Sequence, residues 1–142
     1  MILVTGGTGL LGSHLLYELC KGDEKIRATK RTSSSTNFVK WVFGLYCDNA
    51  NELMAKIEWV DADLLDYQSL LSATESVDSV FHAGAIVSFN PSHANDIGNT
   101  NIIGTANLVD ACLENGVRNF YHVSSVASLG EANAEGIVNE DC

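Results

Sequence analysis

The sequence predicts an α/β protein in which helices cover both faces of a doubly wound parallel sheet of about five strands. Short apolar segments alternate with longer segments of helical period along the whole chain. Four glycines also fall within seven positions after the first apolar segment, where a strand would turn into a helix. The 142 residues are enough for one domain, or part of one, with a buried core.

Five segments have the length and the apolar or β-branched composition of buried strands. We predict strands at Ile2–Thr5, Lys25–Lys30, Ile57–Val60, Val77–His82 and Asn119–Ser124.

Two longer segments have helical spacing. One helix is predicted from Leu10 to Cys20, with Gly22 as its stop, and another from Asp96 or later to Asn115, with Gly116 as its stop. The residues expected to face the core are Leu11, Leu15, Leu16 and Leu19 in the first helix, and Ile102, Ile103, Ala106, Val109 and Leu113 in the second.

The glycine cluster matches G-x-G-x-x-G at Gly7, Gly9 and Gly12, and T-G-x-x-G-x-x-G starting at Thr5 and Gly6. Either pattern is weak alone, but here a strand precedes it and a helix follows it. Glycine lets the backbone approach a pyrophosphate, and the N–H groups of the helix start then face the phosphates. The sequence therefore predicts that residues 1–142 form the N-terminal part of a Rossmann-type dinucleotide-binding domain. The alternative is a tight strand–helix turn without a ligand.

The end of the second strand bears on which dinucleotide is bound. NAD-binding units usually carry a carboxylate there for the ribose hydroxyls, but residues 29–33 contain none. Lys30 and Arg31 can instead pair with a 2′-phosphate, with Thr32 or Ser33 as hydrogen-bond partners. NADP is thus slightly favoured over NAD, unless Lys30 and Arg31 are simply solvated at the strand end.

The segment from Thr32 to Lys56 is long for a connection between neighbouring strands. Its apolar residues between Phe38 and Phe43 predict a helix packed on the sheet, followed by a loop at residues 47–51. We expect this insertion to lie near the adenosine end of the cofactor.

A formal charge of −10 argues against nucleic acid or an anionic membrane surface as a partner. No apolar run approaches the roughly 18 residues of a membrane span, and the N-terminus lacks the basic start of a signal peptide. The scattered cysteines, without C-x-x-C or nearby histidine pairs, predict free thiols in the cytoplasm and no metal site.

Four further motifs follow the glycine turn in a recognisable order. They are Asp61-Ala62-Asp63-Leu64, Phe81-His82-Ala83-Gly84-Ala85, Asn101-Ile102-Ile103-Gly104-Thr105 and Val123-Ser124-Ser125-Val126-Ala127-Ser128-Leu129-Gly130. Together with VTGGTGLLGSHL, they resemble the extended short-chain dehydrogenases/reductases of the NAD-dependent epimerase/dehydratase group, with the dihydroflavonol-reductase-like and hydroxysteroid-dehydrogenase-like branches nearest. The resemblance covers essentially the whole chain.

This resemblance implies a role for each motif. Asp63 would contact the adenine; a helix N-cap is the alternative, and the two roles are compatible. Asn101 would bond to a neighbouring loop or hold a water. His82 is expected to be a satisfied polar group without a part in proton transfer. The full set of implied cofactor-binding residues is Thr5, Gly6, Gly9, Leu10, Leu11, Gly12, Lys30, Arg31, Thr32, Asp63, Leu64, Ala83, Gly84, Ala85, Asn101, Val123 and Ser124.

Ser125 occupies the family's catalytic serine position, where its hydroxyl would bond the reacting oxygen; Ser124, Ser128 and an ordinary polar strand end are the alternatives. The family's catalytic Y-x-x-x-K motif lies some two dozen residues beyond this serine, so the chain is expected to be an N-terminal fragment. The string from Tyr17 to Lys21 has that spacing, but its place in the first helix makes it a chance match.

The resemblance implies a parent enzyme that transfers hydride between a nicotinamide and a hydroxyl- or carbonyl-bearing carbon of a small-molecule substrate. We expect a reductase ahead of a nucleotide-sugar epimerase or dehydratase, with a homodimer possible for the full-length enzyme. The 142 residues alone are expected to bind dinucleotide weakly and to turn nothing over. A non-catalytic dinucleotide-binding sensor is the alternative from another class.

Overall fold

A computed structural model describes residues 1–132, 134 and 136–139 of the chain. Its five parallel strands form one sheet in the order β3-β2-β1-β4-β5, which confirms the predicted fold class. The strands are β1 (Ile2–Thr5), β2 (Ile26–Lys30), β3 (Ile57–Asp61), β4 (Ser79–His82) and β5 (Asn119–His122). Each predicted strand end lies within two residues of the observed one.

The helices connect consecutive strands. They are α1 (Leu10–Leu19), α2 (Asn37–Gly44), α3 (Ala50–Met54), α4 (Tyr67–Thr74), α5 (Ala94–Gly98) and α6 (Gly104–Glu114), with a π-helical turn at Asn99–Ile103 and 3₁₀ turns at Pro91–His93 and Val126–Ser128. The sequence reading predicted α1, α2 and the α5–α6 region but missed α3 and α4. The predicted loop at residues 47–51 is therefore wrong at its end, because α3 begins at Ala50.

Strand β1 lies at the centre, and the chain winds outward from it in both directions, first through β2 and β3 and then through β4 and β5. Successive side chains of a strand point to opposite faces of the sheet. Val4 accordingly packs with Leu16 and Phe43 under α1 and α2, whereas Leu3 packs with Leu108 under α4 and α6. Such a reversal of strand order leaves a crevice at the carboxyl ends of the central strands, where ligands of this fold class bind.

The predicted core face of the last helix is wrong. Leu108, Ala111 and Cys112 are buried there, whereas Ile102 and Leu113 are 72% and 73% exposed. The π turn changes the rotational phase of the residues before Gly104. In addition, the helix lies so close to the Leu64 loop that a Cβ at Gly104 would be 2.7 Å from the Leu64 Cβ. Close packing therefore buries the face that contains Gly104 and Ala111 together with Leu108, and it leaves Ile102 and Leu113 outside.

The predicted face of α1 is correct only in part. Leu16 is completely buried and Leu15 and Leu19 pack at the edge of the core, but Leu11 is 53% exposed. The fully covered face also contains Gly12, Ser13, Tyr17 and Cys20.

Candidate functional site

A cleft of about 520 Å³ opens at the carboxyl ends of β1, β2 and β4. More than half of the predicted cofactor-binding residues line it. These are Thr5, Gly6, Gly9, Lys30, Arg31, Asp63, Leu64, Ala83, Gly84 and Ala85. The structure thus brings three separate motifs to one crevice, as parallel strands with a common carboxyl edge require.

The glycine turn links β1 to α1 along one wall of this cleft. Gly6 has a φ of +70°, and a Cβ there would lie 2.6 Å from the carbonyl oxygen of Ala83, so only glycine fits. At Gly12 a Cβ would clash with the Gly6 carbonyl, so this glycine lets α1 pack closely on the turn. Gly9 is exposed and stands at the start of α1, which has no side-chain cap. The first-turn N–H groups therefore remain available for an anion.

The end of β2 contributes two cationic side chains to the cleft, and only one of them, Lys30, is in an ion pair in the described structure. The Lys30 Nζ lies 2.6 Å from the Asp61 Oδ1 on the neighbouring strand. Arg31 is exposed, and its guanidinium has no ion-pair partner within the part of the chain that the structure describes. Ser34 lines the cleft, whereas the predicted Thr32 does not.

Asp63 shapes the loop that follows β3. Its Oδ1 accepts a hydrogen bond of 2.9 Å from the Leu65 backbone N–H. The alternative that it caps a helix is wrong, because Asp66 caps α4 by accepting bonds from the N–H groups of Gln68 and Ser69. Asp63 therefore reaches the cleft from a short turn of its own.

The loop after β4 forms the opposite wall, and Asn101 holds it. The Ile86 backbone N–H donates to the Asn101 Oδ1 at 2.8 Å, and the Asn101 Nδ2 donates to the Ile86 carbonyl at 2.9 Å. This confirms the option that Asn101 bonds to a neighbouring loop. Asn101 itself does not line the cleft; it stands in the π turn and fixes Ile86, which does. π turns of this kind are frequent at functional sites.

His82 is buried and bonds at both ring nitrogens, as the sequence predicted for a satisfied polar group. The Thr105 Oγ1 donates to the Asn101 carbonyl at 2.7 Å, so it accepts from the His82 Nε2–H at 2.9 Å. The Thr5 Oγ1 then donates to the unprotonated His82 Nδ1 at 2.6 Å. Burial, and to a smaller extent the neighbouring His122, lower the pKa of His82 to about 4. A neutral imidazole thus ties β1, β4 and α6 together beneath the cleft.

Not every predicted residue reaches the cleft. Leu10, Leu11, Gly12, Thr32, Asn101, Val123, Ser124 and Ser125 are outside its lining. Ser125 follows β5, the neighbour of β4, and its carbonyl accepts bonds from the N–H and hydroxyl of Ser128. The Ser124 and Ser128 hydroxyl oxygens lie 3.0 Å apart.

The sequence did not indicate several of the residues that line the cleft. They are Thr8, Thr29, Ser34, Ala62, Leu65, Ile86, Asp96, Asn99 and Thr100. Asp96, Asn99 and Thr100 belong to a mostly polar segment directly before the Asn101 motif, and this segment was the signal that could have indicated them.

The remaining sequence features lie elsewhere. Tyr17 is buried in the core between α1 and α2, stacks on Tyr46 and carries the Lys21 ammonium over its ring, away from the cleft lining. Cys20, Cys47 and Cys112 are free thiols, and Cys142 lies outside the described residues. No group of three or more potential ligands among residues 1–132, 134 and 136–139 could hold a metal ion. In the same part of the chain, no helix has the length and apolar character needed to cross a membrane.

Comparison with known proteins adds an independent observation. Residues 2–142 match the family model described as "NAD dependent epimerase/dehydratase family". The chain is 33% identical over 138 residues to sterol demethylase protein B of Methylococcus capsulatus, covering 97% of this chain and 38% of that protein. It is 30% identical over 127 residues to a putative dihydroflavonol 4-reductase of Synechocystis, covering 89% and 33%.

Among solved structures, the chain is similar to a UDP-glucose-4-epimerase from Stenotrophomonas maltophila with bound NAD and formylated UDP-arabinopyranose. The TM-score is 0.76 and the identity 25%, over 96% of this chain and 40% of that one. The chain thus spans between one third and two fifths of the length of these three proteins.

Proposed function

Because the chain belongs to the NAD-dependent epimerase/dehydratase family, we propose that its cleft binds a nicotinamide dinucleotide. The observation that carries this proposal is the glycine turn at one wall of the cleft. Gly6 and Gly12 allow the tight turn, and the uncapped first turn of α1 offers backbone donors to a pyrophosphate. Residues 1–142 then act as the dinucleotide-binding part of a larger enzyme.

The residues of the cleft fit the two ends of such a cofactor. Arg31 and Asp63 stand on the adenosine side, and Ala83 and Gly84 leave room for a flat ring beside the loop after β4. At Gly84 a Cβ would lie 3.3 Å from the Gly6 backbone N, so a larger side chain would press on the phosphate turn. A bound nicotinamide cofactor would supply hydride chemistry, and the chain would bind and orient it.

We also propose a slight preference for NADP over NAD. Arg31 is exposed beside the cleft without a carboxylate partner in the described structure, and β2 ends without the carboxylate that usually binds the ribose hydroxyls of NAD.

For the whole enzyme, the proposed reaction moves hydride between the nicotinamide and a hydroxyl- or carbonyl-bearing carbon of a small molecule. Ser125, at the end of the strand beside β4, would donate a hydrogen bond to the reacting oxygen. A reductase is favoured over a nucleotide-sugar epimerase or dehydratase, which share the same binding unit.

The test is calorimetric titration of NAD and NADP into the 142-residue chain and two matched glycine variants. Gly9→Ala places a methyl group where the phosphates would approach; the φ of −84° suits alanine, and the one close atom, the Gly6 carbonyl oxygen at 3.3 Å, needs to move by only a few tenths of an ångström. Gly44→Ala adds the same methyl group where nothing lies within 4 Å. We expect Gly9→Ala to weaken binding about tenfold, which is about 1.4 kcal/mol, and Gly44→Ala to bind normally. Absence of binding by the unaltered chain, or equal binding by both variants, would overturn the proposal.

A further inference from the structure

The ends of β2 and β3 hold an ion pair that no sequence motif indicated. Lys30 and Asp61 are the last residues of their strands and lie opposite one another in the parallel register. The Ala62 backbone N–H donates to the Lys30 carbonyl at 3.0 Å, so the two strand ends are tied together by their main chains. The 2.6 Å contact between the side chains is therefore a consequence of strand pairing rather than of a chance rotamer.

The two members of this pair face the cleft differently. Lys30 lines the cleft and its side chain is only 24% exposed, whereas Asp61 is outside the lining and 54% exposed. The carboxylate thus holds the ammonium from outside the crevice. Arg31, the next residue, lines the cleft without such a partner among the described side chains.

The charges around the cleft determine how well it can bind the 2′-phosphate of NADP. NADP differs from NAD by a 2′-phosphate, which needs local cations because the chain's formal charge of −10 repels it. Two cations and two carboxylates, Asp63 and Asp96, line the cleft. The additional carboxylate of Asp61 pairs with one of the two cations, so Arg31 is the cation of the lining that has no ion-pair partner among the described residues.

We infer that Asp61 is a selectivity residue of the cleft, which limits its preference for NADP by holding the Lys30 ammonium. The inference rests on the proposed dinucleotide binding. Removal of the Asp61 charge frees Lys30 for the 2′-phosphate and removes a like-charge repulsion, while NAD offers only a neutral hydroxyl at that place. Asp61 touches no reacting atom; it acts through Lys30.

The experiment measures the dissociation constants of NADP and NAD by calorimetry at low salt for the full 142-residue chain and four variants. Asp61→Asn is expected to tighten NADP binding about fivefold, the size of effect typical of a solvent-accessible ion pair, and to leave NAD within about twofold. Lys30→Met and the double variant Asp61→Asn/Lys30→Met test whether Lys30 carries the gain, which should vanish in the double variant. The control, Glu58→Gln, removes one charge from the same strand, where Glu58 pairs with Arg27 instead.

Each result has one meaning. A selective gain for NADP in Asp61→Asn that disappears without Lys30 supports the inference. An equal gain for both dinucleotides, a gain that persists in the double variant, an unchanged NADP affinity, or the same gain in Glu58→Gln overturns it. If the unaltered chain binds neither dinucleotide, the proposed function itself fails, which is a different outcome from normal binding with unaltered selectivity.

Discussion

Acid should destabilise this protein through His82, and the substitution His82→Gln should remove much of that sensitivity. His82 is 1% exposed and its neutral ring is held by Thr5 and Thr105. Its pKa falls from 6.5 to about 4 on folding, first because of burial and second because of His122. The unfolded chain therefore binds the proton more readily, so stability is full above pH 6.5 and declines as the pH falls towards 4.

The magnitude follows from this shift. Each pKa unit corresponds to about 1.36 kcal/mol, so the complete shift is worth about 3 kcal/mol, of which about 2 kcal/mol is already lost at pH 5. Measurements should stop near pH 5, because the isoelectric point is about 4.6 and solubility falls there.

The assay is urea unfolding of the 142-residue chain at pH 7.5, 6.5, 5.8 and about 5, at constant ionic strength, followed by circular dichroism. Carboxylates also titrate on acidification, so the informative quantity is the difference in slope between the unaltered chain and His82→Gln. The exposed His93→Gln serves as the control, since it removes an imidazole that bonds to Ser88 and has no contact with Thr5 or Thr105. Equal slopes for the unaltered chain and His82→Gln would refute the reasoning, as would protons on both ring nitrogens of His82 in nitrogen-15 spectra at neutral pH.

Three further outcomes are expected. Gly12→Ala should lower the free energy of unfolding by about 2 kcal/mol or more in urea titrations, because the methyl group meets the Gly6 carbonyl; an unchanged midpoint would contradict this. Asp66→Ala should cost about 1 kcal/mol through loss of the α4 cap, and a neutral effect would show that the cap contributes nothing. Burial raises the pKa of both Cys20 and Cys112 to about 11. Alkylation at pH 8 followed by peptide mapping should therefore find both thiols labelled far more slowly than the half-buried Cys47, and comparable labelling rates would contradict this.

Interactions between residues close in sequence determine the strand–turn–helix unit at the start of the chain. The T-G-x-x-G turn, the strand before it and the helix after it depend on residues close in sequence, and so the sequence indicated both the fold class and the phosphate-facing wall. The cap of α4 at Asp66 is equally local, but the sequence offers a second candidate for this cap, Asp63, three residues earlier.

Tertiary structure decided the features that depend on distant partners. Lys30 meets Asp61 because β2 and β3 pair in parallel, and His82 meets Thr5 across 77 residues because β4 lies beside β1. Ile102 and Leu113 are exposed because a π turn precedes the last helix and because Gly104 packs closely on Leu64. Hydrophobic periodicity indicates neither of these features. Periodicity and turn motifs report the conformation of neighbouring residues, whereas ion pairs, buried tautomers and the face of a helix are set by contacts that exist only after the sheet has assembled.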